Sequence, residues 1–432
     1  MATTAGTAPD RRHRIRSIIG GSAGNLVEWY DWYAYAAFTL YFAPQFFPAA
    51  DPTVELLSAA SVFALGFLIR PIGGWVMGIY SDRHGRKAGL ALSVTLMCAG
   101  SLLIAITPTY AQIGPAAPAL VIVARLLQGL SVGGEYGASA TYLSEIAGRK
   151  HRGFFSSFQY VTLIGGQMVA LAVLLVLQAV LPTEALEAWG WRIPFFVGGA
   201  LAVVVFWLRR GLAETESFAN ADASERRRSG ALALLREHPR EFVTVLFLTA
   251  GGTLAFYAYS IYMQKFLFDT VGFTKVTASR ISAATLFGFM LLQPVIGALS
   301  DRIGRKPLMV GFGILGTIFT YPIFTTLEDT RDPVTAGLIV MGALAITSGY
   351  SAISGVVKAE MFPAHIRTLG VALPYAIANA IFGGTAETIA FLFKSQGYAQ
   401  GFYWYVTAMI AVSLVTYASM RDTKRHSRIL ED

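Results

Sequence analysis

The sequence predicts an all-α polytopic membrane protein, with twelve transmembrane helices in two six-helix bundles that are related by a parallel repeat. Three observations support this prediction. The 432-residue chain is 54% hydrophobic and only 14% charged. It contains about twelve apolar stretches of membrane-spanning length. One charged phrase also occurs once in each half of the chain.

Each apolar stretch is long enough to cross a bilayer as a helix, which takes about 20 residues. The core of a soluble domain does not consist of so many long apolar runs, so we interpret the chain as a multi-pass membrane protein. The predicted spans are residues 18–41, 56–80, 88–108, 117–146, 154–181, 192–209, 241–265, 276–300, 307–327, 333–360, 368–394 and 399–420.

Basic residues indicate the orientation. Most of the 34 lysines and arginines lie in the termini and in alternate loops, whereas the intervening loops 42–55 and 109–116 contain none. By the positive-inside rule, both termini are then cytoplasmic. The net charge of +8 comes from basic residues whose positions follow the membrane topology. We therefore expect no nucleic-acid partner. The first apolar run is too long for a signal peptide and contains Glu28 and Asp31, which predicts an uncleaved first span.

One long polar stretch, residues 209–241, separates six predicted spans from six. Its arginine cluster, Arg226–Arg228, serves orientation in our interpretation, and binding of anionic lipid headgroups is the alternative. The predicted organisation is a cytoplasmic N-terminus (1–16), an N-terminal six-helix bundle (17–209), a cytoplasmic linker (210–240), a C-terminal six-helix bundle (241–420) and a cytoplasmic tail (421–432).

The two halves repeat charged phrases at equivalent positions. "GIYSDRHGRK" (78–87) matches "GALSDRIGRK" (297–306), and a glutamate precedes an arginine by seven residues in both "SEIAGRKHRG" and "AEMFPAHIRTLG". Two six-helix repeats with matching charges describe a transporter whose halves rock about a central site. We expect ion pairs among these charges to hold a cytoplasmic gate shut, the alternative being that the basic loops only set topology. The predicted gate residues are Asp82, Arg83, Arg86, Glu145, Arg152, Asp301, Arg302, Arg305, Glu360 and Arg367.

These phrases resemble the signature of the major facilitator superfamily. Further stretches resemble its metabolite–proton symporters, and the similarity runs from about residue 14 to residue 420. The resemblance implies a multi-pass protein of the bacterial inner membrane that imports a small organic acid with protons. The stretches are "GNLVEWYDWYAY", "FLIRPIGG", "RLLQGLSVGGEYG", "FQYVTLIGGQ", "WGWRIPF" and "KAEMFPAHIR".

Carboxylates within the predicted spans are candidates for proton coupling. Glu28 and Asp31 are three residues apart and so share one side of the first helix. A carboxylate near mid-membrane is costly as an anion, so it either pairs with a cation or carries a proton. The alternative for both is a buried ion pair that fixes helix packing. Glu135 lies ten residues beyond Arg125 and is a separate candidate for proton transfer or gating.

Two arginines within the spans are candidate ligands for a substrate carboxylate. Arg125 lies on a stripe with Gly129, Gly133 and Gly137, which lets another helix approach, so we expect Arg125 to point into the bundle. A guanidinium there can bind a carboxylate with two hydrogen bonds, and Arg70 would support it. For both arginines the alternative is a structural ion pair. Other predicted substrate contacts are Tyr30, Gln159, Tyr160, Gln167, Arg192, Tyr257, Tyr259, Tyr262 and Asn379.

The sequence contains no Walker loop, no His-Glu-x-x-His motif and no cysteine pair, so we expect neither an enzyme nor a metal or cofactor, with protons as the coupling ion. The resemblance implies α-ketoglutarate as the first candidate substrate. Citrate or another di- or tricarboxylate, shikimate and betaine or proline are alternatives, and a non-transporting sensor on the same fold is a further one. We expect the chain to lie in a lipid bilayer and to work as a monomer.

Overall fold

The computed structural model describes residues 11–84, 86–132, 135–210, 231–363 and 366–429. Its N-terminal half consists of helices joined by short loops, with a 3₁₀ turn at Gly190–Arg192 before the last helix. These helices are α1 (Arg11–Phe46), α2 (Pro52–Leu68), α3 (Arg70–His84), α4 (Arg86–Ile106), α5 (Tyr110–Ile113), α6 (Ala116–Val132), α7 (Glu135–Ile146), α8 (Arg152–Val180), α9 (Thr183–Ala188) and α10 (Ile193–Arg210).

The C-terminal half repeats this plan. A π-helical turn interrupts its first span at Ala258–Tyr262 and its fifth span at Asn379–Gly383. Its helices are α11 (Ala231–Glu237), α12 (Pro239–Tyr257), α13 (Met263–Asp269), α14 (Lys275–Ile303), α15 (Lys306–Asp329), α16 (Pro333–Ser351), α17 (Ser354–Glu360), α18 (Arg367–Ala378), α19 (Ala386–Ser395) and α20 (Gln400–Ser419).

Helices of membrane-spanning length dominate the described residues. Eight are long and apolar enough to cross a bilayer. Three shorter apolar segments, together with α1, complete the predicted twelve spans. The eight are Pro52–Met77, Arg152–Val180, Pro239–Asp269, Lys275–Ile303, Lys306–Asp329, Pro333–Glu360, Arg367–Ser395 and Gln400–Ser419, and the shorter ones are Leu92–Ile106, Ala116–Val132 and Gly190–Val204.

Capping residues that can be recognised in the sequence precede several of these helices. Asp51 precedes Pro52 and accepts a hydrogen bond from the Thr53 amide at the start of α2. Asp332 caps α16 in the same way, because its carboxylate accepts bonds from the hydroxyl and the amide of Thr335. These bonds, the side-chain one first, lower the pKa of Asp332 below its usual value.

We call the end of the molecule at which α1 begins and residues 421–429 lie the termini face, and the other end the opposite face. The two halves are in contact at both. At the termini face α8 crosses α14 so closely that a β-carbon on Gly153 would lie 2.6 Å from the carbonyl oxygen of Gly297. At the opposite face Lys275 forms a 2.6 Å salt bridge to Glu187. The space between the halves is therefore narrowed from both ends.

The structure modifies the predicted boundaries. The first helix runs from Arg11 to Phe46, beyond the predicted 18–41 at both ends. The second and fourth spans each consist of two helices, α2 with α3 and α6 with α7. Residues 421–429 pack against the termini face instead of trailing from it, and Ile429 is buried. Most of the predicted linker, residues 211–230, lies outside the described residues.

Candidate functional site

A cavity lies between the two halves of the chain. Helices α1, α3 and α7 of the first half line it together with α18 of the second. Two of the predicted charges, Glu28 and Arg70, face Asn379 across it, and Tyr136 and Tyr375 line it as well. A cavity lined mainly by apolar and aromatic residues, with a few polar groups that converge on it, is the usual form of a small-molecule site.

Arg70 is the cation of this cavity. It follows the junction between α2 and α3, is only 5% exposed, and its guanidinium carbon lies 3.9 Å from the centroid of the Phe67 ring. Its Nε and Nη2 groups have no hydrogen-bond partner among the described residues. A buried guanidinium with unused donors is costly unless a ligand supplies acceptors.

Asp31 lies in a hydrogen-bond network inside the N-terminal bundle. Its carboxylate accepts bonds from the hydroxyl of Ser101 and, at 2.7 Å, from Nε2 of Gln128. The other amide atom of Gln128, Oε1, accepts a 2.8 Å bond from Arg125. Gln128 therefore bridges a buried carboxylate and a buried guanidinium. Glu28 lines the cavity instead. The two carboxylates therefore have different neighbours, although they are only three residues apart in the sequence.

Trp32 connects Arg125 with Arg70. The guanidinium carbon of Arg125 lies 3.8 Å from the centroid of the Trp32 ring, and that of Arg70 lies 4.0 Å from it. Both guanidinium groups therefore contact the same indole ring. Arg125 lines neither of the two cavities described here. The structure thus places Arg70, which we had expected only to support Arg125, at the cavity.

The C-terminal half contributes neutral polar groups near the cavity. Asn379 begins the second π-helical turn, and its side-chain oxygen accepts a 2.6 Å bond from Thr253. Tyr257 packs edge-on against Phe67 of the other half. Since π-helical turns break the regular backbone pattern and often mark functional positions, their presence in both helices is consistent with a site here.

A second cavity lies between the halves, nearer the opposite face. Gln167, Ser260 and Lys265 are among the residues that line it. Gln167 bonds the backbone carbonyl of Ser260 at 2.7 Å across the two halves. Two other predicted residues of the same helix as Gln167, Gln159 and Tyr160, are buried, and Tyr160 packs against Phe256 of the C-terminal half.

Four predicted substrate contacts lie elsewhere. Tyr30 donates to the carbonyl of Pro194 inside the N-terminal bundle. Tyr259 donates to Thr320. Tyr262 packs against three phenylalanines of the C-terminal bundle. Arg192 donates two 2.7 Å bonds to carbonyls at the end of α4, which leaves it as a helix C-cap. The sequence predicts how deep an aromatic or basic residue lies in the membrane. It does not predict which side of the helix faces the cavity.

The predicted gate charges of the C-terminal half form a cluster at the termini face. Glu360 lies 3.4 Å from Arg305, which also pairs with Asp301 at 2.9 Å. Arg152 of the N-terminal half lies 4.0 Å from the same glutamate. The terminal segment joins this cluster, because the hydroxyl of Thr423 donates a 2.6 Å bond to Glu360.

The remaining predicted gate residues behave differently. Arg302 is exposed and forms no salt bridge to a described carboxylate, while Arg367 donates to the carbonyls of Phe362 and Arg428. For Arg302 the predicted ion pair is therefore replaced by exposure, whereas a predicted partner of Arg367, Glu145, lies outside the described side chains. The side chains of Asp82, Arg83, Arg86, Glu135 and Glu145 lie outside the described part of the structure.

Several buried polar residues were not predicted from the sequence. Lys265 and Glu387 form a 2.6 Å salt bridge between two helices of the C-terminal bundle, and the lysine is 0% exposed. Lys358 is also buried, beneath the stacked rings of Tyr136 and Tyr375. The sequence did contain a signal for these three residues, because each is a charged residue within a predicted apolar span.

Comparisons with known proteins identify the family. The profile of the family described as "Sugar (and other) transporter" matches residues 18–229 and 212–429. The α-ketoglutarate permease of Escherichia coli (strain K12) is 54% identical over 95% of this chain and 94% of its own. The citrate-proton symporter of Salmonella typhi is 34% identical over 89% of this chain and 88% of its own.

A solved D-xylose-proton symporter has the same fold, with a TM-score of 0.77 and 18% identity, covering 95% of this chain and 98% of that one. The predicted twelve-helix fold is thereby confirmed, and the protein is a transporter of the bacterial inner membrane rather than an enzyme. The chain belongs to the sugar (and other) transporter family and has the fold of the major facilitator superfamily.

Proposed function

We propose that this protein imports α-ketoglutarate together with protons, by alternating access of the cavity between its two halves. The observation that carries the proposal is Arg70, a buried guanidinium at the cavity with two donors that no described residue uses. A carboxylate is the ligand that matches this planar pair of donors. The substrate is then an organic anion.

The choice of α-ketoglutarate rests on similarity. The relative named as an α-ketoglutarate permease is 54% identical, against 34% for the citrate-proton symporter. Citrate and other di- or tricarboxylates remain the alternatives within the same chemistry. Betaine and proline carry a cationic nitrogen beside their carboxylate, which two neighbouring guanidinium groups do not favour.

Charge balance supports proton coupling. Arg70 and Arg125 both contact Trp32, and the carboxylates of Glu28 and Asp31 lie near them, so the formal charges of these four groups sum to zero. A dianion entering a region of low dielectric adds two negative charges, and each proton bound to a carboxylate removes one. Substrate and proton therefore stabilise each other's binding, and this coupling is reciprocal.

The Gln128 bridge gives this coupling a route. When Asp31 takes up a proton, Arg125 loses the anion that Gln128 connects to it. The positive potential at the cavity then rises, because Arg125 and Arg70 share the ring of Trp32. In this account Arg70 binds the substrate, and Asp31 and Glu28 are the proton acceptors.

The termini face is cytoplasmic in this proposal. The basic residues of the termini and alternate loops support that orientation through the positive-inside rule. Contacts between the halves at both ends correspond to an occluded state, from which either end can open. Because each chain contains a complete cavity between its own two halves, a monomer suffices for transport.

Uptake into proteoliposomes tests the proposal. The purified protein is reconstituted, a pH gradient is imposed with the acidic side outside, and uptake of radiolabelled α-ketoglutarate, citrate, shikimate and betaine is measured. We expect accumulation of α-ketoglutarate that collapses with a protonophore. Accumulation of betaine alone, or of none of the four, would overturn the proposal.

A further inference from the structure

Lys358 is a buried cation outside both cavities. It lies in α17, its side chain is 0% exposed, and its ammonium group contacts the hydroxyl of Tyr136 at 3.4 Å. No described carboxylate forms a salt bridge with it; the nearby Glu360 pairs with Arg305. An ionisable side chain buried inside a membrane protein is costly and indicates a function, with a partner that must be identified.

Two tyrosines separate Lys358 from the cavity. Tyr136 of the N-terminal half and Tyr375 of the C-terminal half stack with ring centroids 3.5 Å apart and planes 9° from parallel. Both rings line the cavity that contains Arg70. The ammonium group of Lys358 lies 4.4 Å from the centroid of Tyr375 and 5.2 Å from that of Tyr136. The stacked pair therefore contacts Lys358 and also lines the cavity that contains Arg70.

The pair also joins the two halves, since one ring belongs to each. The helices approach closely beside it, because a β-carbon on Gly137 would lie 2.9 Å from the Cα of Ala372. A movement that opens the termini face must separate α7 from α18 and thus unstack the rings. Until then, the cation–π contacts with the rings stabilise Lys358 in place of an anion.

We propose that Lys358 is a second carboxylate-binding residue of the transport path, covered by Tyr136 and Tyr375 in the occluded state and exposed to the substrate when they part. This inference rests on the proposed function, because it assigns the second carboxylate of the dianion. Arg70 binds one carboxylate in the occluded cavity, and Lys358 binds the other as the termini face opens. A monocarboxylate has no group for this lysine, so Lys358 determines the preference for dicarboxylates.

The test compares two anions with the same five-carbon chain. Exchange of α-ketoglutarate and of 2-oxopentanoate, which lacks the distal carboxylate, is measured in proteoliposomes for the unaltered protein, Lys358→Gln and Lys358→Arg. We expect Lys358→Gln to raise the half-saturating concentration of α-ketoglutarate at least tenfold and that of 2-oxopentanoate less than twofold. Lys358→Arg keeps the charge and should stay within about threefold for both. Lys150→Gln, at an exposed lysine just before α8, is the matched control.

A second measurement uses the unaltered protein and does not depend on variant folding. Acetylation of Lys358 by acetic anhydride is followed by mass spectrometry during exchange. Saturating α-ketoglutarate should slow it at least threefold compared with saturating 2-oxopentanoate. Equal protection by the two anions, or equal effects of Lys358→Gln on both, would overturn the role of Lys358 alone. Failure of the unaltered protein to exchange α-ketoglutarate would overturn the proposed function as well.

Discussion

The carboxylate of Asp301 accepts a 2.8 Å hydrogen bond from the backbone amide of Gly153, in the other half of the chain. The next amide, that of Phe154, donates to the second carboxylate oxygen at 2.9 Å. Asp301 therefore caps the first turn of α8, where unpaired amides and the helix dipole favour an anion. The aspartate of the repeated phrase is thus more than a partner for Arg305, because it ties the two halves together at the termini face.

Replacing Asp301 by asparagine should open the termini face more often. The amide keeps the size of the side chain but loses the charge, which costs about 1–2 kcal/mol at a helix N-terminus, or roughly a 5- to 30-fold shift between closed and open states. The measurement is the labelling rate of Ser156→Cys, a buried position between the halves, in a Cys98→Ser background. Asp329→Asn, at an exposed aspartate, is the control; equal rates in both variants would contradict the capping role.

The terminal segment should stabilise the same closed state. Thr423→Val preserves shape but removes the hydrogen bond to Glu360, and a bond to a charged group is worth about 1.5 kcal/mol or more, roughly tenfold. We therefore expect faster labelling of Ser156→Cys in this variant. Thr416→Val, where the hydroxyl bonds only within its own helix, should leave the rate unchanged. No difference between the two valine variants would exclude the terminal segment from the gate.

Coupling should depend on Gln128. Gln128→Leu leaves Asp31 and Arg125 in place but removes the bridge between their charges. We expect exchange of α-ketoglutarate across equal pH to persist at no less than about a third of its rate, whereas accumulation driven by a pH gradient is lost. Gln293→Leu is the control, since this buried glutamine lies in the C-terminal bundle and bonds Ser351. Undiminished accumulation by Gln128→Leu would show that the proton acts elsewhere.

The effects of replacing Lys265 and Glu387 on the free energy of unfolding should not be additive. Removing one partner leaves an uncompensated buried charge, which costs about 3–5 kcal/mol. We expect Lys265→Met alone to lower the thermal unfolding temperature markedly and the double variant with Glu387→Leu to restore most of the loss. The unfolding temperatures are measured by thermal unfolding in detergent. Lys394→Met, at a partly exposed salt bridge, is the control. A double variant no more stable than Lys265→Met would contradict the pairing.

The fold could be predicted from the sequence because its main signals are local. Run length determines which segments span a bilayer, and the repeated phrases relate the two halves. Arg70 and Glu28, which line the candidate site, could be singled out for a similar reason, since a charge within an apolar run is costly.

The orientation of each side chain could not be predicted. In helices that are apolar on several sides, the sequence does not determine which side faces the cavity, lipid or another helix. We therefore expected Arg125 to bind the substrate carboxylate with Arg70 in support, whereas in the structure Arg70 lines a cavity and Arg125 lines neither. Contacts between distant helices, such as that between Tyr136 and Tyr375, leave no local pattern at all.

The account's central claim is that Arg70, and not Arg125, binds the substrate carboxylate. The most direct test is equilibrium binding of α-ketoglutarate to purified Arg70→Lys and Arg125→Lys, at a pH low enough to saturate the proton dependence of binding. Lysine keeps the charge but loses the paired donors, so Arg70→Lys should weaken binding at least tenfold, the equivalent of about 1.4 kcal/mol. Arg125→Lys should bind within about threefold of the unaltered protein while failing to accumulate substrate. Weak binding by Arg125→Lys combined with normal binding by Arg70→Lys would contradict the account.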